Sequence, residues 1–176
     1  MAYERFPFAL TVALFISIMK LCKIERKGGS VSEMDNTGLL GEYKHTIDAK
    51  KRIFLPSDFR PFLGNEVVVS KSTDKCINVY PIPEWKKYEE KINALPSVKA
   101  KAIKRWVYAY SKRTEVDAQG RIAIPQNLCD YAELEKNIVS VGAGEYAEIW
   151  SEKAYAEMTG ALSASDIEED LIALGF

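Results

Sequence analysis

Apolar and polar positions along this chain follow one succession of periods, and that succession occurs twice. Tyr43-Lys44-His45-Thr46-Ile47 and Arg52-Ile53-Phe54-Leu55 alternate as half-buried strands do, joined through Asp48-Ala49-Lys50-Lys51. A short helix is expected over residues 57–63, then a β-branched strand, Val67-Val68-Val69, and a third apolar strand, Ile77-Asn78-Val79-Tyr80. Five residues beyond Tyr80, Trp85 opens a helix. The second half runs in the same order. Asp117-Ala118-Gln119-Gly120-Arg121-Ile122-Ala123-Ile124-Pro125 precedes a helix over residues 126–132. Two strands follow, Ile138-Val139-Ser140-Val141 and Ala147-Glu148-Ile149-Trp150, and then a helix with Tyr155 in the place of Trp85. Asp, Ala, Arg, Ile and Pro recur at matching positions of the two nine-residue motifs. With the shared order β-turn-β-α-β-β-α, this marks an internal duplication.

Two helices separate the copies. Pro83 and Glu84 open the first, with Trp85, Tyr88, Ile92 and Leu95 at helical spacing, and Pro96 ends it. Ser97 is expected to cap the second, whose apolar stripe would be Val98, Ala102, Trp106 and Tyr110. Lys99, Lys101, Lys104 and Arg105 occupy its other face. The aromatic stripe reads as core or subunit interface rather than as a platform for stacked bases. After Gly160 a short acidic helix is expected over residues 165–174.

The repeated motif has a direct physical reading. Aspartate suits the first position of a type I turn because its carboxylate accepts local backbone N–H groups. A residue with positive φ then completes a three-residue hairpin loop, the place of Gly120 in the second copy and of Lys51 in the first. The arginine that follows either pairs with the aspartate or reaches outward to a phosphate or a guanine. Asp48, Asp117 and Gly120 are therefore expected to be turn scaffold, with Arg52 and Arg121 as readers.

Charge sharpens the picture. The net charge of −1 conceals +1 over residues 1–41, +8 over 42–113 and −10 over 114–176. Only the middle stretch suits a polyanion, and part of its basic character is a solvated helix face. Cys22, Cys76 and Cys129 are isolated, and His45 is the only histidine, so neither a zinc site nor a disulfide framework is expected. Reduced thiols suit the cytosol. Residues 6–19 are almost continuously apolar but fall short of the ~20 residues of a membrane span, and no cleavage site follows. Lys27-Gly28-Gly29 can be encoded by a purine-rich tract resembling a ribosome-binding site, with Met34 or Val31 downstream as a start. Residues 1–33 are thus expected to be translated upstream sequence, within an N-terminal extension of residues 1–40.

The stretches Gly41-Glu42-Tyr43-Lys44-His45-Thr46-Ile47-Asp48-Ala49-Lys50-Lys51-Arg52, Val79-Tyr80-Pro81-Ile82-Pro83-Glu84-Trp85 and the second motif resemble the bacterial MraZ family. The resemblance covers about residues 40–158. It implies an α+β fold, a duplicated swapped-hairpin barrel of AbrB type forming a pseudo-dimer within one chain. Its parts would be domains at 41–87 and 112–155, linking helices at 88–111 and a tail at 156–176. It further implies subunits joined into a ring and a cytoplasmic, nucleoid-associated regulator. The expected ligand is double-stranded DNA with direct repeats, in the promoter of the protein's own division and cell-wall genes. No cofactor and no membrane are implied. Arg52 and Arg121 match the DNA-contacting arginines, and Lys50 matches the motif lysine where the second copy has Gln119. Lys44 and Lys51 are the neighbouring basic candidates, Lys51 standing where the family has glycine.

Two other function classes compete for the same residues. Asp48 and Asp117, one from each repeat, resemble an acid protease dyad, but such a pair must share a proton, and an arginine four residues on would hold both ionised. No nucleophile elbow or oxyanion hole accompanies a serine or cysteine with His45. An antitoxin-like protein-binding module is the stronger rival, although such proteins usually carry one hairpin and a long disordered tail. The start-site expectation is tested by mass spectrometry of the native protein, where a peptide from residues 6–20 would contradict it.

Overall fold

The computed structural model describes residues 38–176. The apolar run at 6–19, Cys22 and the expected start lie outside the described residues, as do the side chains of 97–99. Each repeat contributes four strands. The first has β1 (Glu42–Thr46), β2 (Arg52–Phe54), β3 (Glu66–Lys71) and β4 (Cys76–Pro81). The second has β5 (Ser111–Glu115), β6 (Arg121–Ala123), β7 (Asn137–Gly142) and β8 (Ala147–Ser151). Six helices complete the described residues. They are α1 (Arg60–Leu63), α2 (Ile82–Asn93), α3 (Ser97–Ala109), α4 (Gln126–Tyr131), α5 (Glu152–Ala161) and α6 (Ala164–Leu174).

The two copies exchange strands. Six strands form one antiparallel sheet in the order β1-β7-β8-β4-β3-β5, and β2 pairs with β6 in a separate two-stranded ribbon. The first strand of each repeat therefore pairs with the third strand of the other, β1 with β7 and β5 with β3. Reversing the sheet order exchanges each strand with its counterpart, so the chain has pseudo-two-fold symmetry. The register locates the axis, which passes between Ile53 and Ile122 in the ribbon and between Asn78 and Glu148 in the sheet. The sheet is open, with β1 and β5 at its edges.

Alternation along the ribbon explains how it packs. Ile53 and Ile122 face each other, fully buried, while Arg52, Phe54, Arg121 and Ala123 lie on the opposite, outer side. Beneath the isoleucines the main core collects Leu55, Phe59, Leu63, Val67, Val69, Ile77 and Val79 from the first repeat. From the second repeat come Ile124, Leu128, Ile138, Ala147 and Ile149. A smaller cluster of Val68, Tyr80, Trp85, Ile92 and Val107 lies where α2 and α3 cover the far face of the sheet. A third, of Cys76, Val139 and Trp150, packs against Ala154, Tyr155 and Met158 of α5. Gly142 admits the backbone of Leu39, which bridges to Gly144; a Cβ at Gly142 would overlap it.

Some local expectations shift. The helix expected at 57–63 is helical only from Arg60, because residues 56–59 form a turn closed by Phe59 N–H donating to Pro56 O. Ser97 is the first residue of α3 and not its cap. The buried face of α3 carries Ala100 and Val107, while Ala102 and Tyr110 are exposed. The rotation follows from the helix exit: Ser111 Oγ donates to Val107 O and accepts from Ser70 Oγ, which turns Val107 onto Val68 as the chain enters β5. Helix α6 starts one residue earlier than expected, with Ser163 Oγ accepting from Asp166 N–H. Among the described residues no helix is long and apolar enough to cross a membrane, and no cluster of potential metal ligands occurs.

Candidate nucleic-acid interface

Both hairpin turns are built by the same hydrogen bonds. In the first, Asp48 Oδ1 accepts from Lys50 N–H at 2.8 Å and Arg52 N–H at 2.9 Å, and Asp48 O accepts from Lys51 N–H at 3.0 Å. In the second, Asp117 Oδ1 accepts from Gln119 N–H and Arg121 N–H, both at 2.9 Å, and Asp117 O from Gly120 N–H at 2.8 Å. The turns require a left-handed residue before the arginine, with Lys51 at φ +57° and Gly120 at φ +77°.

The other carboxylate oxygen holds the arginine. Asp48 Oδ2 accepts from Arg52 Nε at 2.7 Å and lies 2.6 Å from Nη2; Asp117 Oδ2 is 2.8 Å and 2.7 Å from the same atoms of Arg121. This geometry leaves the Nη1 side of each fork for another acceptor. The arginine side-chain hydrogen bond, reinforced by the backbone N–H groups, lowers both carboxyl pKa values, that of Asp117 to about 2. Both aspartates are therefore ionised and occupied by the turn, which is scaffold geometry and not that of a proton-sharing pair.

The ribbon brings Arg52 and Arg121 onto one face, but their surroundings differ. Arg121 lies opposite Phe54, its guanidinium carbon 5.6 Å from the ring centroid, and its side chain is 18% exposed. Arg52 lies opposite Ala123 and is 30% exposed. Lys50 is exposed and Lys51 half-buried in the first turn. Lys44 is elsewhere: it pairs with Val139, whose side chain packs under α5, on the face of the sheet turned away from the ribbon. Cys76 and Cys129 are free and buried, and burial raises both thiol pKa values.

Two residues at the ribbon escaped the sequence reading. Phe54 is exposed on the arginine face, a position that alternation with Ile53 would have indicated. Arg60 donates from Nε to Leu55 O at 3.0 Å, and its guanidinium covers Gly120 of the other repeat. No local signal reveals that contact.

The geometry defines a class: an internally duplicated α+β protein whose two Asp–Arg hairpins share one ribbon. A family model described as "MraZ protein, putative antitoxin-like" matches residues 39–105 and 108–173, once per repeat. The chain is 42% identical over 137 residues to a protein of Heliobacterium modesticaldum named transcriptional regulator MraZ, covering 76% of this chain and 96% of that one. A Clostridium acetobutylicum protein of the same name is 39% identical over 139 residues, 77% of this chain and 98% of its own. One from Carboxydothermus hydrogenoformans is 46% identical over 118 residues, 66% and 82%. The chain belongs to the MraZ family.

Lys51→Gly is expected to stabilise the protein by about 1 kcal/mol, because glycine adopts positive φ without the penalty of a Cβ. A lower urea midpoint for the variant would contradict the strain argument. The Asp117 pair also has a pH signature. Since the folded pKa is below the ordinary 3.8, its contribution is complete above about pH 4 and lost as pH falls through about 2. The stability gap between wild type and Asp117→Asn, read from denaturant midpoints, is expected to close across that window; a gap constant down to the lower limit would refute it.

Proposed function

We propose that this chain is a DNA-binding transcriptional regulator that reads double-stranded DNA through the outer face of the β2–β6 ribbon. The observation that carries the reading is the placement of Arg52 and Arg121 on one side of a ribbon anchored by Ile53 and Ile122. Each arginine is oriented by an ionised aspartate, so its fork is pre-organised for a phosphate or a guanine edge. The names of the relatives support the same reading.

The strand exchange between repeats supports a swapped-hairpin architecture of AbrB type, with 41–87 and 112–155 as the paired modules. In this reading Lys50 and Lys51 flank Arg52 as phosphate contacts, and Lys44 contributes to the field around the first module. Each subunit is a weak reader, with base contacts worth about 1–3 kcal/mol each. Assembly into a ring makes later contacts intramolecular, so repeated operator boxes bind far more tightly than a single one. The target is the promoter of the chain's own division and cell-wall genes, and the protein works in the cytoplasm on the nucleoid. No catalytic step or cofactor enters this mechanism.

An antitoxin-like role, binding a partner protein, is the second reading. The family description includes it, and exposed Ile167, Leu171, Ile172 and Phe176 give the acidic tail an apolar stripe. Copurification of a stoichiometric small protein, with no retardation of the promoter fragment, would favour it.

The test is a mobility-shift titration with DNA from upstream of its own gene, carrying one to several boxes. Affinity is expected to rise steeply with box number. Arg52→Ala is expected to weaken binding more than Arg121→Ala, since Lys50 and Lys51 adjoin only Arg52 and Arg121 is partly withdrawn against Phe54. Equal losses would refute that asymmetry.

A further inference from the structure

The two hairpin turns differ in one residue that the fold makes consequential. Each turn's left-handed residue is hydrogen-bonded by the opposite repeat: Leu55 N–H donates to Gly120 O at 2.9 Å, and Ile124 N–H to Lys51 O at 2.8 Å. Four residues after the motif proline of the opposite repeat comes a side chain facing that turn, Arg60 for the second turn and Cys129 for the first. Arg60 Nε donates to Leu55 O and Cys129 Sγ to Ile124 O, the two residues whose N–H groups reach the opposite turns, so the two positions are structurally equivalent.

Their contents are reciprocal. Where the turn residue is glycine, the facing side chain is arginine: a Cβ on Gly120 would lie 2.6 Å from Arg60 Nε and overlap the guanidinium carbon. Where the turn residue is lysine, the residue at the matching position is the small, buried Cys129. Each turn thus has one large basic side chain and one small residue, with the roles swapped between turn and facing helix. The steric part of the exchange is set by volume, because Gly120 has no room for a side chain while Arg60 lies over it. The electrostatic part keeps a positive charge at both ends of the ribbon, although the second repeat is otherwise acidic.

We propose that Arg60 is a nucleic-acid-binding residue of the second hairpin, supplied from the first repeat in place of the lysine that the second turn lacks. Its ligand is a backbone phosphate beside the site of Arg121. The half around Arg121 is then a composite of both repeats, Arg60 with Arg121, while the other half uses Lys51 with Arg52 of the first repeat. Nε is held by Leu55 O, which fixes the plane of the guanidinium and leaves its terminal nitrogens for the phosphate. This assignment rests on the DNA-binding reading of the ribbon and extends it.

A phosphate contact is visible in the salt dependence of binding whatever the base sequence. The probe is a fluorescein-labelled duplex of mixed sequence, titrated with the full chain at several salt concentrations. Arg60→Gln keeps a donor for Leu55 O and removes the charge; it is expected to lower the slope of log K against log salt by ~1, while Arg60→Lys keeps the slope. An unchanged slope for Arg60→Gln, with Arg52→Ala lowering it, would overturn the assignment and leave the ribbon reading intact. A changed melting temperature with an unchanged slope would likewise reduce Arg60 to a structural role. No duplex binding by the unaltered protein would overturn both.

A second pair of variants tests the reciprocity. Gly120→Lys is expected to lower the melting temperature in the wild-type background. Combined with Arg60→Cys it is expected to cost less and to restore the salt slope, since the second turn then copies the first. Equal destabilisation in both backgrounds, or a slope that stays low, would overturn the proposal.

Discussion

The pairing of β2 with β6 is the contact on which the remaining architecture depends. A three-residue strand has few backbone groups, and buried N–H and C=O groups must find partners. Within one repeat β2 has only its own turn and a single bridge from Ile47 to Ile53. Its ladder is completed by the other repeat, where Ile53 meets Ile122 and where Leu55 and Ile124 donate to the opposite turns. Because the same pairing buries the two isoleucines, it also closes the main core. Neither repeat has a complete core alone, so the unit that folds is the pair.

From that constraint the outer face follows. Alternation turns Arg52, Phe54 and Arg121 outward wherever Ile53 and Ile122 turn inward. The aspartates then set the arginines' orientation at little cost to the ribbon, since the same carboxylate that closes each turn also accepts the guanidinium. Turn and guanidinium are joined through one side chain. In the proposed DNA-binding role such a surface is oriented before the ligand arrives, which reduces the ordering cost of binding.

Pseudo-symmetry does not make the halves equal. Arg121 rests on Phe54, Arg52 faces Ala123, and the basic residue beside each turn comes from a different place in the chain. Duplication within one chain permits such divergence, because the two copies no longer have to be identical as they would in a symmetric dimer.

The sequence alone determined what local chemistry determines. The turns were legible at Asp48 and Asp117 because their bonds span at most four residues, and positive φ at Lys51 followed from the position of Gly120 in the matching copy. The strands were legible from alternation, and the duplication from the recurrence of both. Tertiary structure decided what depends on contacts between distant segments. It set which strands of the two repeats pair, and which stripe of α3 is buried, where Ala100 and Val107 displaced the expected Ala102 and Tyr110. It also turned Lys44 to the far face of the sheet and brought Arg60 over Gly120. These choices follow from how the two repeats fit together in space, and residue order carries that fit only through packing across a large separation in sequence.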